Sequence, residues 1–306
     1  MKKDLLITHT DLDGISPIIL MNLTGREFDY KNIEIAEVTD TFNELFASDL
    51  SVYENIYVTD LTLTQEVYDY INEHELNIKV FDHHETHMFA HDLPYTTIEI
   101  DLFGRQTCGT ELFFEYLKTI YKELDKPIVQ DYVDQVRQLD TFKFESDLPR
   151  HIETIRATLG KLEFVKSFTK RLKKDKEKLE LTAFEKRFVK LKAEEILRYM
   201  QKKDEKMFRY TIDGKTCGVV FAETHKSELG NYLSNKYPEL DLIILIDASS
   251  RISYRTCRDD IAVNEFASTY GGGGHRKASG SSFDDEMRKK VIELYFNETK
   301  CLDEEI

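Results

Sequence analysis

Positive charge is what this chain is shortest of. Its 42 lysines and arginines face 57 aspartates and glutamates, for a formal net charge of −15 at pH 7. A protein that grips a long nucleic acid offers a broad basic surface to the phosphates, and this balance argues against one. An anionic substrate would be short, and bound cations are the obvious means of meeting its charge. Cysteine is also scarce. Cys108, Cys217, Cys257 and Cys301 lie far apart with no paired spacing, which leaves zinc-ribbon and redox motifs without support and points to reduced thiols in a cytoplasmic protein. No apolar run approaches the ~20 residues that cross a bilayer, so no membrane partner is expected. The opening MKKDLLITHTDLDG turns to charge too early for a signal peptide.

What is present is a globular composition, 41% hydrophobic and 11% aromatic over 306 residues, enough for one large domain or two ordinary ones. Short apolar or β-branched runs predict strands over Asp4–Thr8, Asn32–Val38, Asn55–Thr59 and Asn77–Phe81. Helical or loop patterns between them predict an α/β fold, a parallel sheet with helices on both faces. Further helices are expected over Thr110–Glu123 and, after Pro127, over Ile128–Leu139. Residues 161–206 turn long, charged and helical, with 16 Lys/Arg against 9 Asp/Glu. We read them as a connector with solvated faces, the alternative being attraction of an anionic substrate. A second unit with its own strands and helices begins at Met207. It opens on a hairpin about Asp213-Gly214 and continues with a helix over Lys226–Lys236. Strands in LDLIILIDA and RISYRTC follow, then a helix over Val263–Tyr270 that leads into YGGGGHRKASG. The expected division is thus 1–160, 161–206 and 207–306.

Three of the predicted strands end in polar, titratable side chains. LLIT runs into His9-x-Asp11-x-Asp13-Gly14, YVT into Asp60, and KVF into Asp82-His83-His84. The first partly mimics a calcium loop, but His9 and Leu20 stand where that loop needs its first and twelfth-position acids. A single Asp after a strand is most often a helix N-cap, as expected for Asp40, and His74, His87, His91, His151 and His225 read as ordinary surface histidines. Acids and imidazoles at three strand ends on one sheet edge are another matter. That edge is where ligands bind in open parallel sheets. Gathered carboxylates repel one another unless cations lie between them. Imidazole and carboxylate donors without thiolates suit Mn²⁺, Mg²⁺ or similar ions.

HTDLDG, VTD, FDHH and RQLD occur in the order of the four motifs of the DHH phosphoesterase superfamily. GGGGHRKASG resembles the glycine-rich element of its associated DHHA1 domain, a smaller α/β unit with a mixed sheet. The likeness spans nearly the whole chain and is greatest to the short-oligoribonucleotide exonucleases, the nanoRNases of B type. It implies two divalent ions, Mn²⁺ first with Mg²⁺ or Co²⁺ as substitutes. One would be held by His9, Asp11 and Asp60, the other by Asp13, Asp60, His83 and Asp140. By pattern alone Asp140 reads equally well as a solvent-exposed acid. The resemblance makes Asp82 the orienter of an imidazole and His84 the group facing the substrate phosphate. Gly272, Gly273, Gly274 and His275 would grip a phosphate or terminal nucleotide, with Ser253 and Arg255 as neighbouring contacts. Thr107, in GRQTCGTEL, reads as a helix cap. The implied reaction is hydrolysis of short RNA to 5′-mononucleotides, with the second domain closing over the substrate. The alternatives are a small-phosphate hydrolase of the same superfamily (pyrophosphatase, exopolyphosphatase or nucleotide 3′-phosphatase), a long-strand exonuclease, or an inactive dinucleotide-binding module.

Overall fold

The computed structural model describes residues 2–296, and Cys301 lies outside them. The chain divides into two compact units, Met1–Val189 and Lys190–Ile306.

The first unit is built on five strands: β1 (Lys3–Thr8), β2 (Phe28–Asn32), β3 (Tyr53–Thr59), β4 (Ile78–Asp82) and β5 (Thr96–Ile98). All neighbouring pairs are parallel, in the order β2-β1-β3-β4-β5. Because side chains alternate across a strand, the sheet feeds two separate cores. Leu6, Tyr57 and Phe81 pack on one face with helices α1 (Leu12–Thr24), α4 (Gly109–Ile120), α5 (Pro127–Asp140), α6 (Leu148–Leu159) and α7 (Lys161–Leu172). Leu5, Ile7, Ile56, Val58, Ile78 and Val80 pack on the other with α2 (Val38–Phe46) and α3 (Gln65–Glu73). A short ribbon of β6 (Asp101–Leu102) and β7 (Arg105–Gln106) precedes α4. The expected α/β fold with helices on both faces is what forms. From β1 the chain moves to β2 on one side, and β3 then joins on the other. The carboxyl ends of β1 and β3 therefore flank the switch point where open α/β sheets bind ligands.

Two expectations near β2 fail. The strand lies at Phe28–Asn32, not over Asn32–Val38, and Asp40 is not an N-cap. Val38, Thr41, Phe42 and Leu45 are buried at helical spacing and draw the segment into α2, which places Asp40 in the first helical turn after the cap residue Glu37. The apparent alternation in IEIAEV has no second face to bury, since Ile35 is exposed.

The division between the units falls within α8 (Ala183–Asp204). The second unit is a mixed six-stranded sheet of β8 (Phe208–Ile212), β9 (Lys215–Phe221), β10 (Leu242–Asp247), β11 (Arg251–Arg255), β12 (Gly273–His275) and β13 (Ala278–Ser282). The order is β12-β13-β11-β10-β9-β8, with β9 and β10 parallel and the rest antiparallel. Asp213 and Gly214 make the expected hairpin turn, both at positive φ (50° and 76°), the backbone that two-residue hairpins require. Helices α9 (Lys226–Lys236) and α10 (Val263–Ser268) bury the two sheet faces, and α11 (Asp285–Tyr295) follows β13. Cys108, Cys217 and Cys257 are free thiols. Among the described residues no helix is long and apolar enough to cross a membrane.

Candidate active site

The turn after β1 carries His9, Asp11 and Asp13 into α1. Asp11 caps the helix, its carboxylate accepting from the Gly14 amide at 2.9 Å. Gly14 has no room for a side chain, because a Cβ would lie 2.2 Å from the carbonyl oxygen of His9. The wholly buried Asp13 accepts from the amides of Gly109 and Thr110, at 2.7 and 2.8 Å, at the start of α4. Pro17, four residues on in α1, has no N–H to offer the Asp13 carbonyl, and the Thr110 hydroxyl takes that place at 2.6 Å. Cys108, not Thr107, is the cap residue of α4, and the Thr107 hydroxyl donates to Glu111 instead. The expected cap is therefore displaced by one residue.

Asp60 follows β3 with φ of 55°, a left-handed conformation, and is buried. One of its oxygens lies 3.5 Å from His9 Nδ1 and the other 3.5 Å from His83 Nε2. His9 Nδ1 also lies 3.3 Å from Asp11, and His83 Nε2 lies 3.4 Å from Asp140 and 3.8 Å from Asp13. His9, Asp11 and Asp60 thus form one cluster, and Asp13, His83 and Asp140 a second, each with its donor atoms within 4.8 Å. Asp60 stands between them. Asp140, the residue whose role pattern could not decide, ends α5 inside the second cluster.

The two clusters are electrostatically unbalanced. Burial and the neighbouring carboxylates of Asp60 and Asp140 drive Asp13 well above the usual acid range, an effect opposed by its two amide donors. Burial and Asp60 push Asp140 up to about 6 although His83 pulls the other way. The close approach of the Asp11 and Asp60 carboxylates raises His9 to about 10. Burial lowers His83, but Asp60, Asp13 and Asp140 carry it up to about 10. Asp60 Oδ2 and His83 Nε2 are buried with no hydrogen-bond partner, which is rare and calls for an explanation. Orphaned donor atoms, crowded acids and an all oxygen-and-imidazole set fit divalent cations. Glu34, which sequence reasoning missed, faces His9 Nε2 at 3.5 Å and turns Nδ1 toward the cluster. No sequence signal marks it, because it comes into range only through the β2–β1 pairing.

Asp60, Asp82, His83 and His84 form a third group with ligand atoms within 4.8 Å of one another, but both Asp82 oxygens are engaged by histidines other than His83. One oxygen meets His84 Nδ1 at 2.7 Å and the other His87 Nδ1 at 2.5 Å. His87, expected on the surface, is fully buried. Its Nε2 takes the Leu63 amide at 3.2 Å and the Tyr68 hydroxyl at 2.6 Å. Because the amide can only donate, Nε2 is the bare nitrogen and Nδ1–H donates to Asp82. Burial works against the Asp82 charge, yet His84 and His87 together hold it well below the usual carboxylate range. The Asp82 bond raises His84, whose ring is half-exposed and whose Nε2 has no hydrogen-bond partner among the described residues. Replacing His87 with Ala would strip partners from Asp82, Leu63 and Tyr68 at once. We expect a loss of about 3 kcal/mol or more in chemical denaturation and a further 10–100-fold drop in turnover as His84 loses its orientation.

In the second unit the glycine run forms an exposed hairpin strand at the sheet edge. Gly272 and Gly274 are required by the fold. A Cβ on Gly272 would meet the Gly280 carbonyl at 2.1 Å, and Gly274 has φ of 134° with backbone 2.9 Å from its would-be Cβ. Gly273 faces open space, and His275 ends the strand on the surface. Arg255 donates to the Tyr254 carbonyl at 3.0 Å. Burial and then the charge of Arg251 lower its pKa, and among the described residues no carboxylate pairs with it. Ser253 is buried within β11.

No protein-family model matches the chain. It is 32% identical to Oligoribonuclease NrnB of Bacillus subtilis (strain 168) over 97% of this chain and 76% of that one. A solved structure with a similar fold is the pGpG-specific phosphodiesterase PggH of Vibrio cholerae, with a TM-score of 0.54 and 15% identity over 96% of this chain and 97% of that one. With its parallel five-stranded sheet, its separate mixed sheet and this level of identity along nearly its full length, the chain belongs to the DHH/DHHA1 phosphoesterase superfamily, as a nanoRNase-like member.

Proposed function

We propose that the protein is a cytoplasmic, Mn²⁺-dependent exonuclease that hydrolyses short RNA oligonucleotides to 5′-mononucleotides. The observation that carries this reading is Asp60, which presents one carboxylate oxygen to each of two adjacent ligand clusters. In this reading His9, Asp11 and Asp60 would hold one ion, and Asp13, Asp60, His83 and Asp140 the other. Such ions, when bound, lower the pKa of a coordinated water and stabilise charge on phosphoryl oxygens. The chain's own residues do the rest. The α4 amides fix Asp13, and Glu34 sets the His9 ring. Asp82, clamped by His87, holds the proton on His84 Nδ1 and leaves Nε2 to meet a phosphate oxygen or the departing group. Arg255, with no carboxylate partner among the described residues, and the open backbone at Gly273 suit a phosphate in the second unit. The net charge of −15 favours a short substrate over a long strand.

The test is a parallel assay of the Mn²⁺-loaded protein on labelled five-mer RNA, pyrophosphate and a 3′,5′-bisphosphonucleoside. Shortening of the five-mer to mononucleotides is expected. Turnover of pyrophosphate or the bisphosphonucleoside alone would replace this reading with a small-phosphate hydrolase. No turnover at all, with Mg²⁺ and Co²⁺ tried as well, would favour an inactive dinucleotide-binding module.

The glycine strand supplies a separate check. Gly273→Ala should leave the thermal midpoint nearly unchanged and weaken dinucleotide binding about tenfold, the equivalent of one lost contact of ~1.4 kcal/mol. Gly272→Ala should cost about 1–3 kcal/mol of stability by overpacking. Parental affinity in Gly273→Ala would remove the strand from the binding surface.

A further inference from the structure

Beside the ligand clusters lies a cleft of about 340 Å³ lined by Asp11, Asp13, Leu139, Asp140, Phe142 and Glu153, among others. Phe142 is out of place there by two measures. Its side chain is 79% exposed although it stands one turn from the buried face of α5. Its φ is 54°, a left-handed conformation that disfavours a bulky residue. The position is the one just past the helix cap Thr141, where the Lys143 amide returns to the Gln138 carbonyl at 3.1 Å and the Phe142 amide to Leu139 at 3.3 Å. Glycine is the residue that this kind of helix ending favours. A phenylalanine here adds backbone strain and buries little, and strain of this kind gathers at binding sites.

The surroundings are arranged to hold the ring on the cleft. Phe144 meets Phe142 edge-on, with centroids 6.2 Å apart and planes at 85°. The Arg150 guanidinium lies over the Phe144 ring at 3.8 Å and fixes it. Among the described residues no other ring and no cation packs on Phe142. The cleft beside it has apolar lining from Leu12, Val136 and Leu139, and the lining continues into Asp11, Asp13 and Asp140.

We propose that Phe142 is a stacking platform for a nucleobase of the substrate, flanking the linkage to be cut. The assignment rests on the oligonucleotide reading above and deepens it, since pyrophosphate and polyphosphate have nothing to stack. It gives the site a means of preferring nucleotides over bare phosphates of the same charge, and one tolerant of sequence because every base has a π-face.

The test compares two probes on the full-length, Mn²⁺-loaded protein by calorimetry. One is a dinucleotide with a methylene in place of the bridging oxygen, and the other is the same backbone lacking both bases. The parent should prefer the base-bearing probe. Phe142→Leu should narrow that preference by about ten- to a hundredfold, the range expected from removing one base–aromatic stack, and Phe142→Tyr should retain it. Phe142→Gly should narrow it likewise while its thermal midpoint stays level or rises by about 2–4 °C as the strain is released. A parental preference in Phe142→Leu, or a midpoint in Phe142→Gly below the parent's, would overturn the proposal. A parent that shortens the five-mer yet does not distinguish the probes overturns the platform alone. One that turns over only pyrophosphate overturns the substrate reading and the platform with it.

Discussion

Replacing Asp60 with asparagine should cut turnover by about a thousandfold or more and leave the metal-free fold standing. The size follows from the several kcal/mol of charge stabilisation that paired ions supply, at 1.36 kcal/mol per tenfold in rate. Asp60 belongs to one cluster and lies 3.5 Å from His83 of the other, so its loss should disturb both. Asparagine is the right replacement because it tolerates the left-handed backbone at this position (φ 55°). The fold should survive because the carboxylate lost is a crowded one with an unpartnered oxygen. We expect the metal-free variant to melt within about 3 °C of the parent and to gain little from added Mn²⁺. Rates within tenfold of the parent's would remove Asp60 from the centre of the account.

Mn²⁺ binding should release protons and tighten as the pH rises. Without metal, His9 and His83 are both raised to about 10 by neighbouring carboxylates, so at pH 7 both imidazoles are charged. Their charge stabilises the metal-free protein fully below the ordinary histidine value of about 6.5, and that contribution is lost as the pH climbs through about 10. Metal ligation requires the neutral ring, so each ion must displace protons. Calorimetric titration at pH 7 in buffers of different ionisation enthalpy should return more than one proton released per chain. At 100 times Kd each ion should add about 2.7 kcal/mol, for a rise in thermal midpoint of about 5–10 °C. Binding without proton release, or affinity that falls with pH, would contradict this.

Much of the site was legible because its signals are local. Apolar runs that stop at His9, Asp60 and Asp82 declare both a strand and what stands at its carboxyl end, and the parallel order places those ends on one edge. The Asp213-Gly214 hairpin was legible for the same reason, since turn chemistry is written in two adjacent residues. What was illegible depends on partners distant in sequence. His87 reads as a surface histidine until Tyr68 and the Leu63 amide close around it. Glu34 matters only because β2 lies beside β1. The β2 region itself misled, because alternation in IEIAEV outweighed the helical spacing of Val38, Thr41, Phe42 and Leu45. The glycine run was read as a single device, but Gly271, Gly272 and Gly274 answer to packing or backbone conformation, and Gly273 alone is left without a structural reason.

The most direct measurement is anomalous scattering at the manganese edge from crystals of the protein grown with Mn²⁺. Two peaks on either side of the Asp60 carboxylate are expected, one among His9 and Asp11 and the other among Asp13, His83 and Asp140. A single peak, or peaks away from Asp60, would contradict the shared-carboxylate site on which the proposed chemistry depends.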